Sequence, residues 1–375
     1  MPCFLPIVAL ALALFCTQSA LGETTTRHMA PLMPRAAESL LLDIAVAGER
    51  LVVTGEYGHV LYSDNGGHDW RQARVPTTQM LTAVHFADAT TGWAVGHDGL
   101  VLVSEDAAAT WRLQRDGLAV QNQENIEQRE VAYRRLRALQ AQQTAAGELA
   151  DTDLDSAIDD ARMDVEDAEL RLDEPVFTEP LLDVYFEDGN RGWAVGAFGT
   201  FIATRDGGQH WSDHGERLEN PGEFHLNAII GDGEGQVFIA GEGGVMFRSA
   251  DSGETWESLE PFYEGSWFGL VYEPVSEALL MFGLQGNLFR SADFGRSFEQ
   301  VPVDTQVSLA GGGTDTEGRV VITGGVGTVL YSAGGARQFR RSMLEDGLSL
   351  SSGIPYKGNR VLVGQGGARV YEVQP

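Results

Sequence analysis

Short apolar runs recur along most of the chain, and their lengths and residue types indicate β-strands. A repeated unit consists of one β-rich run, the pattern Gly-x-x-Gly and a second β-rich run, as in VVTGEYGHVLYSD and WAVGHDGLVLVSED. Glycines that bracket two residues suit a tight hairpin, because one turn position takes a positive φ without a Cβ penalty. The first glycines of the copies are Gly55, Gly96, Gly196, Gly241, Gly283, Gly324 and Gly364.

Two further strands complete each unit. One precedes the repeated runs, as in LLDIAVA and LTAVHFA, and another follows them, beginning at Trp70, Trp111, Trp211, Trp256, Phe298 and Phe339. Four short antiparallel strands in each period of about 40 residues are typical of a β-propeller blade. The sequence therefore predicts an all-β fold, a seven-bladed β-propeller over residues 40–375.

One interval breaks the repeat, because Gly96 and Gly196 are 100 residues apart. Its residues 115–178 are mostly Ala, Gln, Glu, Arg and Leu, which favour helix. Spacings of 4 and 3 positions form an apolar seam at Leu154, Ile158, Ala161, Val165, Ala168 and Leu172. An earlier helix is predicted over about residues 121–143, and it contributes Ala132, Leu136 and Leu139 to this seam. Its arginines are expected to face the acidic second helix, and they are Arg129, Arg134, Arg135 and Arg137.

These features predict an α-helical hairpin inserted between blades two and three, with its bend at Gly147. Connections between blades emerge on the same face as the Gly-x-x-Gly turns, so we expect the hairpin to rise on that face. Insertions of this length usually carry function. The alternative is a neutral surface insertion, which is tolerated because loop-closure entropy grows slowly with length.

The N-terminus has the pattern of a targeting segment. Residues 1–22 carry no charged side chain, an apolar run extends from Leu5 to Phe15, and the small residues Ala20 and Gly22 follow. This pattern predicts a cleaved signal peptide over residues 1–22 and a soluble periplasmic or extracellular protein. Cys3 and Cys16 both lie in this segment, so we expect a mature chain without disulfides or thiolate metal sites.

The last copy of the unit, from Val361 to Val373, ends at its third strand. A free sheet edge is a site for unwanted pairing with another chain. We therefore expect the N-terminal segment 23–39, mainly residues 24–36, to supply the fourth strand and close the ring.

The charge narrows the range of partners. The chain has 54 acidic and 26 basic side chains and a formal net charge of −28. Nucleic acid is bound by clustered lysines and arginines, and anionic lipid attracts the same residues. We therefore expect neither nucleic acid nor anionic lipid to bind directly.

A second motif lies between the third and fourth strands and resembles the Asp-box, Ser-x-Asp-x-Gly-x-Thr-Trp. The best copy comprises Ser249, Asp251, Gly253, Thr255 and Trp256. Further copies begin at Ser63, Ser104, Thr204 and Ser291, Ala108 replaces the glycine in blade two, and the copy at Ser332 is degenerate. The acidic side chain is suited to cap its own turn, and the aromatic residue to fill the gap between neighbouring sheets.

The Gly-x-x-Gly turns together with these Asp-box copies resemble the photosystem II stability/assembly factor group of BNR-repeat propellers. Members in photosynthetic organisms act as lumenal assembly chaperones and carry an arginine-rich patch for their client, whereas relatives elsewhere are secreted envelope proteins. The resemblance implies a non-catalytic, protein-binding scaffold that acts on another envelope or membrane protein complex. It implies no catalytic residue, metal or cofactor.

Sialidases also carry Asp-boxes, so a glycan-binding or sialidase-like glycoside hydrolase is the alternative. That chemistry needs a trio of arginines, a Tyr/Glu nucleophile pair and an acid. The Arg-Ile-Pro motif of sialidases is missing, since the only Ile-Pro is Ile354-Pro355. Function has to be argued from a site and not from a fold, and this favours the non-catalytic interpretation.

A partner-binding face is predicted where the Gly-x-x-Gly turns surround one mouth of the channel. Aromatic residues with scattered polar groups are typical of protein interfaces. The candidates are Glu56, Tyr57, His97, Asp98, Phe198, Glu242, Leu284 and Gln285 from the turns, and Phe262, Tyr263 and Trp267 from an inter-blade loop. The alternative is that these are ordinary loop residues which cover the channel.

Overall fold

The computed structural model describes residues 27–147 and 152–371, and the predicted signal peptide and both cysteines lie outside them. The described residues form six four-stranded antiparallel sheets and one three-stranded sheet, each made of consecutive strands. The seven sheets are the blades of a β-propeller, as predicted. No described helix is both long enough and apolar enough to cross a membrane.

The strands alternate in direction from the centre of the molecule outward. The innermost strand of each blade is β1 (Leu41–Ala47), β5 (Leu81–Phe86), β9 (Leu181–Phe186), β13 (Leu226–Gly231), β17 (Trp267–Glu273), β21 (Leu309–Thr314) or β25 (Leu350–Tyr356). The second strand is β2 (Arg50–Gly55), β6 (Gly92–Gly96), β10 (Gly192–Gly196), β14 (Val237–Gly241), β18 (Ala278–Gly283), β22 (Val320–Gly324) or β26 (Asn359–Gly364).

The outer strands are shorter. The third strands are β3 (Val60–Ser63), β7 (Leu100–Ser104), β11 (Phe201–Thr204), β15 (Met246–Ser249), β19 (Leu288–Ser291), β23 (Thr328–Ser332) and β27 (Arg369–Tyr371). The fourth strands are β4 (Arg71–Gln72), β8 (Arg112–Arg115), β12 (Ser212–Asp213), β16 (Glu257–Ser258), β20 (Glu299–Gln300) and β24 (Arg340–Met343). Each fourth strand begins one residue after the aromatic position from which the sequence predicted it.

The ring is held together by burial between blades. Second strands such as Val237–Gly241 are buried along their whole length, because each is covered by a neighbouring sheet on both faces. Seven apolar clusters fill the seven interfaces between adjacent blades. Burial of apolar area contributes about 25 cal/mol per Å², so these interfaces are the main source of stability.

The closure of the ring differs from the prediction. Among the described residues, the last blade has three strands and residues 27–36 form no strand. Residues 23–26 of the predicted closing segment lie outside the described residues. One backbone hydrogen bond, from the N–H of Ala368 to the carbonyl of Ala37 at 2.9 Å, connects the N-terminal segment to that blade. Blade seven instead meets blade one through an apolar cluster that contains Ala36, Ile44 and Tyr356. Among the described residues, side-chain burial therefore connects the last blade to the first.

The predicted Asp-box turns share one hydrogen-bond pattern. In blade four, the N–H of Gly253 donates to Ser249 Oγ at 2.9 Å, and Ser249 Oγ donates to Asp251 Oδ1 at 2.9 Å. Asp251 also accepts from the N–H of Thr255 at 2.9 Å and from its hydroxyl at 2.7 Å. The copies that begin at Ser63, Ser104, Thr204 and Ser291 repeat the bond to the serine or threonine oxygen.

Helices α1 (Gly117–Ala146) and α2 (Thr152–Asp173) form the predicted hairpin. Helix α1 begins four residues before the predicted start, because Asp116 accepts the N–H of Ala119 and caps the helix. The predicted seam is buried between the helices at Ala132, Ile158, Ala161, Val165 and Ala168.

Of the four α1 arginines that were predicted to face the acidic second helix, one forms an ion pair with it. Arg135 forms an ion pair with Asp164 of α2, whereas Arg129 pairs with Glu130 of its own helix at 3.4 Å. Within the described residues Arg134 and Arg137 form no ion pair. Both side chains are exposed, and long exposed side chains gain little from a surface pair.

Candidate functional site

Each Gly-x-x-Gly turn lies against the chain segment that enters its own blade. In blade one, the N–H of Glu56 donates to the carbonyl of Leu40 at 3.1 Å. A Cβ on Gly55 would lie 2.2 Å from that same oxygen, so this position requires glycine. The turns therefore open on the face where the chain passes from one blade to the next, as predicted.

The tips of these turns display side chains outward. A non-glycine residue takes a left-handed conformation at Tyr57, Asp98, Phe198, Gln285 and Val326, with φ between 53° and 58°. Such a conformation costs an L-residue roughly 1–2 kcal/mol. The side chains of Tyr57 and Phe198 are 54% and 55% exposed. At three of these tips, the predicted residues Tyr57, Phe198 and Gln285 are thus exposed to solvent.

The acidic members of the predicted set also hold the turns in place. Glu56 Oε1 accepts the N–H of Leu40 at 3.0 Å, and Glu242 Oε2 accepts the N–H of His225 at 3.4 Å. Asp98 accepts a hydrogen bond from Arg27 at 2.9 Å. His97, beside Asp98, is exposed. Because these carboxylates already accept hydrogen bonds within the chain, fewer of their lone pairs are available to a partner protein.

The inter-blade aromatic residues divide between surface and core. Phe262 is 47% exposed, whereas Trp267 is fully buried and is not part of a binding surface. The rings of Tyr263 and Trp267 are 4.9 Å apart, and the ring of Phe262 lies 5.8 Å from that of Trp267. The prediction for Trp267 was wrong because the ring opens strand β17 and fills the interface between blades four and five.

The hairpin emerges beside the Gly-x-x-Gly turn of blade two, on the predicted face. Arg115 Nη1 donates to the carbonyl of Gly99 at 2.6 Å. A Cβ on Gly117 would lie 2.5 Å from the carbonyl of Asp98. Arg27 joins the N-terminal segment to this point through Asp98 and Asp116. Sequence reasoning missed Arg27, since nothing local shows which carboxylates it meets.

A groove of about 1000 Å³ separates the root of the hairpin from blade three. Its walls are the first turns of α1, the chain that returns from the hairpin, the turn at Phe198 and the connection 213–223 to blade four. Of the predicted site residues, the groove contains Phe198. The acidic residues of segment 213–223 were not predicted to be part of a site, although they are closely spaced in the sequence.

The central channel has a volume of about 390 Å³ and is lined by the innermost strands. Asp183 Oδ2 accepts the N–H of Ile229 in the next blade at 2.8 Å. Burial raises the pKa of Asp183 to about 8, and the Asp43 carboxylate contributes to the rise. Burial lowers the pKa of His85 to about 4, and its Nε2 lies 3.0 Å from the carbonyl of Phe186. The channel thus holds neutral groups that link neighbouring blades.

Neither the turns nor the channel contains an assembled metal centre. Over residues 27–147 and 152–371, no three His, Cys, Asp or Glu side chains are grouped as metal ligands. The described face displays aromatic side chains, carboxylates and backbone groups.

Comparison with known sequences gives matches to one family. The model of the photosynthesis system II assembly factor YCF48 family matches residues 166–264, from within α2 to the inter-blade loop after blade four. The photosystem II assembly lipoprotein Ycf48 of Synechococcus sp. (strain CC9902) is 31% identical over 149 residues. That match covers 39% of this chain and 44% of the relative, so it spans less than half of either protein.

Solved structures share the fold over nearly the whole chain. YCF48 bound to D1 peptide matches with a TM-score of 0.59 and 14% identity, covering 90% of this chain and 94% of that one. YCF48 from Cyanidioschyzon merolae matches with a TM-score of 0.57 and 14% identity, covering 92% and 98%. The extracellular domain of a putative one-component system from B. thetaiotaomicron matches with a TM-score of 0.58 and 11% identity, covering 90% and 39%.

The YCF48 matches in sequence confirm the resemblance that the Gly-x-x-Gly turns and Asp-box copies predicted, and the solved structures confirm the propeller. In sequence and in fold, this chain resembles the photosystem II assembly factor-like family of BNR-repeat β-propellers.

Proposed function

We propose that this protein is a non-catalytic, secreted scaffold that binds a protein of the cell envelope or a membrane protein complex. The face that carries the Gly-x-x-Gly turns and the root of the hairpin is its binding surface. The observation that carries the proposal is the sequence match to YCF48 assembly factors over residues 166–264, which contain blades three and four. One solved YCF48 structure contains a D1 peptide, which makes protein binding a known use of this fold.

The shape of the face supports this proposal. Exposed aromatic side chains at Tyr57, Phe198 and Phe262 lie on the side where the chain passes between blades. Aromatic residues are enriched where proteins bind one another. The hairpin adds two helices to the same side, so a partner can contact both the turns and the helices.

A deletion of residues 118–176 tests the role of the hairpin. The two ends of the insertion are adjacent, because a Cβ on Gly117 would lie 2.8 Å from Cγ2 of Thr178. A linker of a few glycines can therefore join them without strain on the propeller. Tagged wild-type and deletion proteins are incubated with detergent-solubilised envelope membranes of the source organism, and captured proteins are identified by mass spectrometry.

We expect the wild-type protein to enrich one envelope or membrane protein complex and the deletion variant to lose it. The Val275→Ser variant is the control, because Val275 is 65% exposed and lies in a turn between the first and second strands, on the opposite face. Failure of the wild-type protein to capture any such complex contradicts the proposal. Capture by a folded deletion variant with unchanged yield restricts the binding surface to the propeller.

Two assays on the same protein distinguish the scaffold proposal from the glycan-binding or glycoside hydrolase alternative. Turnover of a sialoside, or saturable binding of a glycan that a substitution in the channel abolishes, contradicts the scaffold proposal. We expect no turnover and no such binding.

A further inference from the structure

The groove between the root of the hairpin and blade three has two chemically distinct parts, an apolar floor and an acidic border. We infer that this groove binds an extended segment of a partner protein in which lysine or arginine residues alternate with apolar residues. The inference rests on the proposed scaffold function and specifies the partner segment that the hairpin side of the face accepts.

The apolar part lies at the bottom and at one end. Leu218 is 6% exposed and Trp211 is half-buried, and both line the groove. Phe198 and Val120 extend the apolar surface to the rim, where they are 55% and 38% exposed. Exposed apolar groups of this size are usually covered by a partner when they adjoin a groove. They are suited to hold two apolar side chains of an extended segment.

The border is strongly acidic. Six carboxylates and one guanidinium line the groove, and the carboxylates are Glu124, Glu179, Asp213, Glu216, Glu219 and Glu223. Within residues 27–147 and 152–371, none of the six lies within 4.0 Å of a basic nitrogen. Many other surface carboxylates of this chain are paired with an arginine, for example Glu254 with Arg205 at 2.7 Å. The groove therefore concentrates negative charge in carboxylates that form no ion pair among the described residues.

The guanidinium of Arg115 does not reverse this charge. It donates to the carbonyl of Gly99 at 2.6 Å and is enclosed at the root of the hairpin. Burial lowers the pKa of Arg115, and the charges of Glu124 and Asp213 oppose that change. Arg115 is thus held by the chain itself, and the surface that remains for a partner is acidic.

The acidic border and the apolar floor of the groove together select the class of partner. Complementary charge increases the rate and specificity of association between proteins. An extended basic and apolar segment fits both parts of the groove, whereas an acidic segment meets six like charges.

The probe for this inference is a fluorescein-labelled, acetylated and amidated ten-residue peptide in which lysine alternates with leucine and phenylalanine. Its binding to the full chain is followed by fluorescence anisotropy at about 0.15 M salt, where the Debye length is about 8 Å and distant charges are screened. A second peptide, with glutamate in place of lysine, measures the dependence on the sign of the charge.

Two matched pairs of variants locate the site. The triple variant Glu216→Gln, Glu219→Gln, Glu223→Gln changes the groove, and Glu105→Gln, Glu234→Gln, Glu277→Gln makes the same charge change in turns on the opposite face. Phe198→Asn removes an apolar contact, and Val326→Asn makes the same replacement at the left-handed tip of another turn. Asparagine tolerates a positive φ better than other non-glycine residues, so neither tip is strained further.

We expect the lysine peptide to bind and the groove triple variant to weaken binding at least tenfold. Phe198→Asn should weaken binding about fivefold, because it removes one apolar contact with the peptide. Both controls should stay within twofold of wild type. Equal weakening by the two triple variants, or equal binding of the glutamate peptide, overturns the inference.

The two experiments distinguish a failure of this inference from a failure of the proposed function. If the chain captures a membrane protein complex but the lysine peptide does not bind, the scaffold proposal stands and the inference about the groove fails. If the peptide binds in the groove but no envelope complex is captured, the inference about the groove is supported and the scaffold proposal fails.

Discussion

Arg27 and Asp116 form a bidentate ion pair in which both N–O distances are 2.6 Å. Asp116 is also the residue that caps α1, and both side chains are about one-tenth exposed. The N-terminal segment is therefore joined to the start of the hairpin, 89 positions away along the chain. This contact orients the root of the hairpin relative to the turn at Asp98.

Replacing Arg27 should destabilise the root of the hairpin. Removal of one partner from a largely buried pair leaves an uncompensated charge, so Arg27→Ala should lower the free energy of unfolding by about 2–4 kcal/mol. Arg35→Ala is the control, because its pair with Glu38 is mostly exposed and surface pairs contribute little to stability. Urea unfolding measures the difference, and hydrogen exchange at Ala119 and Val120 should increase in Arg27→Ala alone. Equal effects of the two variants would contradict the importance of the Arg27 contact.

Asp183 should make the propeller less stable as the pH rises. Its pKa is about 8 in the folded protein and about 3.9 in an unfolded chain. Between these values the folded state holds a proton that the unfolded state has lost, so the contribution is complete below about pH 4 and is lost as the pH rises to 8. Asp183→Asn should therefore unfold at a less pH-dependent temperature than wild type and be more stable than wild type at pH 8. The gain should be smaller than the difference between the two pKa values implies, because asparagine keeps only one of the two oxygens that accept the N–H groups of Ile229 and Val184.

Asp206→Asn is the control for this experiment. Its hydrogen bond with His210 lowers the pKa of Asp206 to about 2, so its contribution is lost only as the pH falls toward that value. Thermal unfolding followed by circular dichroism between pH 5 and 8 separates the two variants. If Asp183→Asn retains the pH dependence of wild type, the buried carboxyl of Asp183 is not its source.

The serine of the Asp-box turn should matter more in blade four than in blade six. Ser249 Oγ accepts the buried N–H of Gly253 and donates to Asp251, so Ser249→Ala should cost about 1–3 kcal/mol. Among the described residues, the one hydrogen bond of Ser332 Oγ is donated to the carbonyl of Gly334, at 3.3 Å, so Ser332→Ala should cost less than about 1 kcal/mol. Guanidinium unfolding of both variants tests this order, and a larger cost at Ser332 would show that the pattern is not the stabilising feature.

Glycine in the same turn should be required for packing as well as for backbone conformation. Gly253 has a φ of +76°, and a Cβ there would lie 2.6 Å from Nε1 of the buried Trp193. Gly335 has a φ of +68° and open space around it. Gly253→Ala should cost about 2–4 kcal/mol, since strain and overpacking add. Gly335→Ala should cost about 1 kcal/mol from strain alone. Thermal unfolding compares the two variants, and equal losses of stability would show that overpacking against Trp193 does not contribute.

The repeated unit, the strand order in each blade and the hairpin could be predicted from the sequence. Each depends on contacts between residues that are close along the chain, as in the pairing of Leu41 with Gly55. The seam of α2 could be predicted for the same reason, since helical spacing places Ile158, Ala161 and Val165 on one side. Local periodicity is sufficient for such features.

Contacts between distant segments were decided by the tertiary structure alone. Tyr356 donates to the carbonyl of Glu49 across 307 positions where the ring closes, and residues 27–36 form no strand there. Trp267 is buried while Phe262 is exposed, although both are aromatic and lie near one another in the sequence. The groove joins Glu124 with Glu219 only because the hairpin folds back beside blade three. Burial and charge density depend on which segments meet in space, and a residue pattern along the chain does not contain that information.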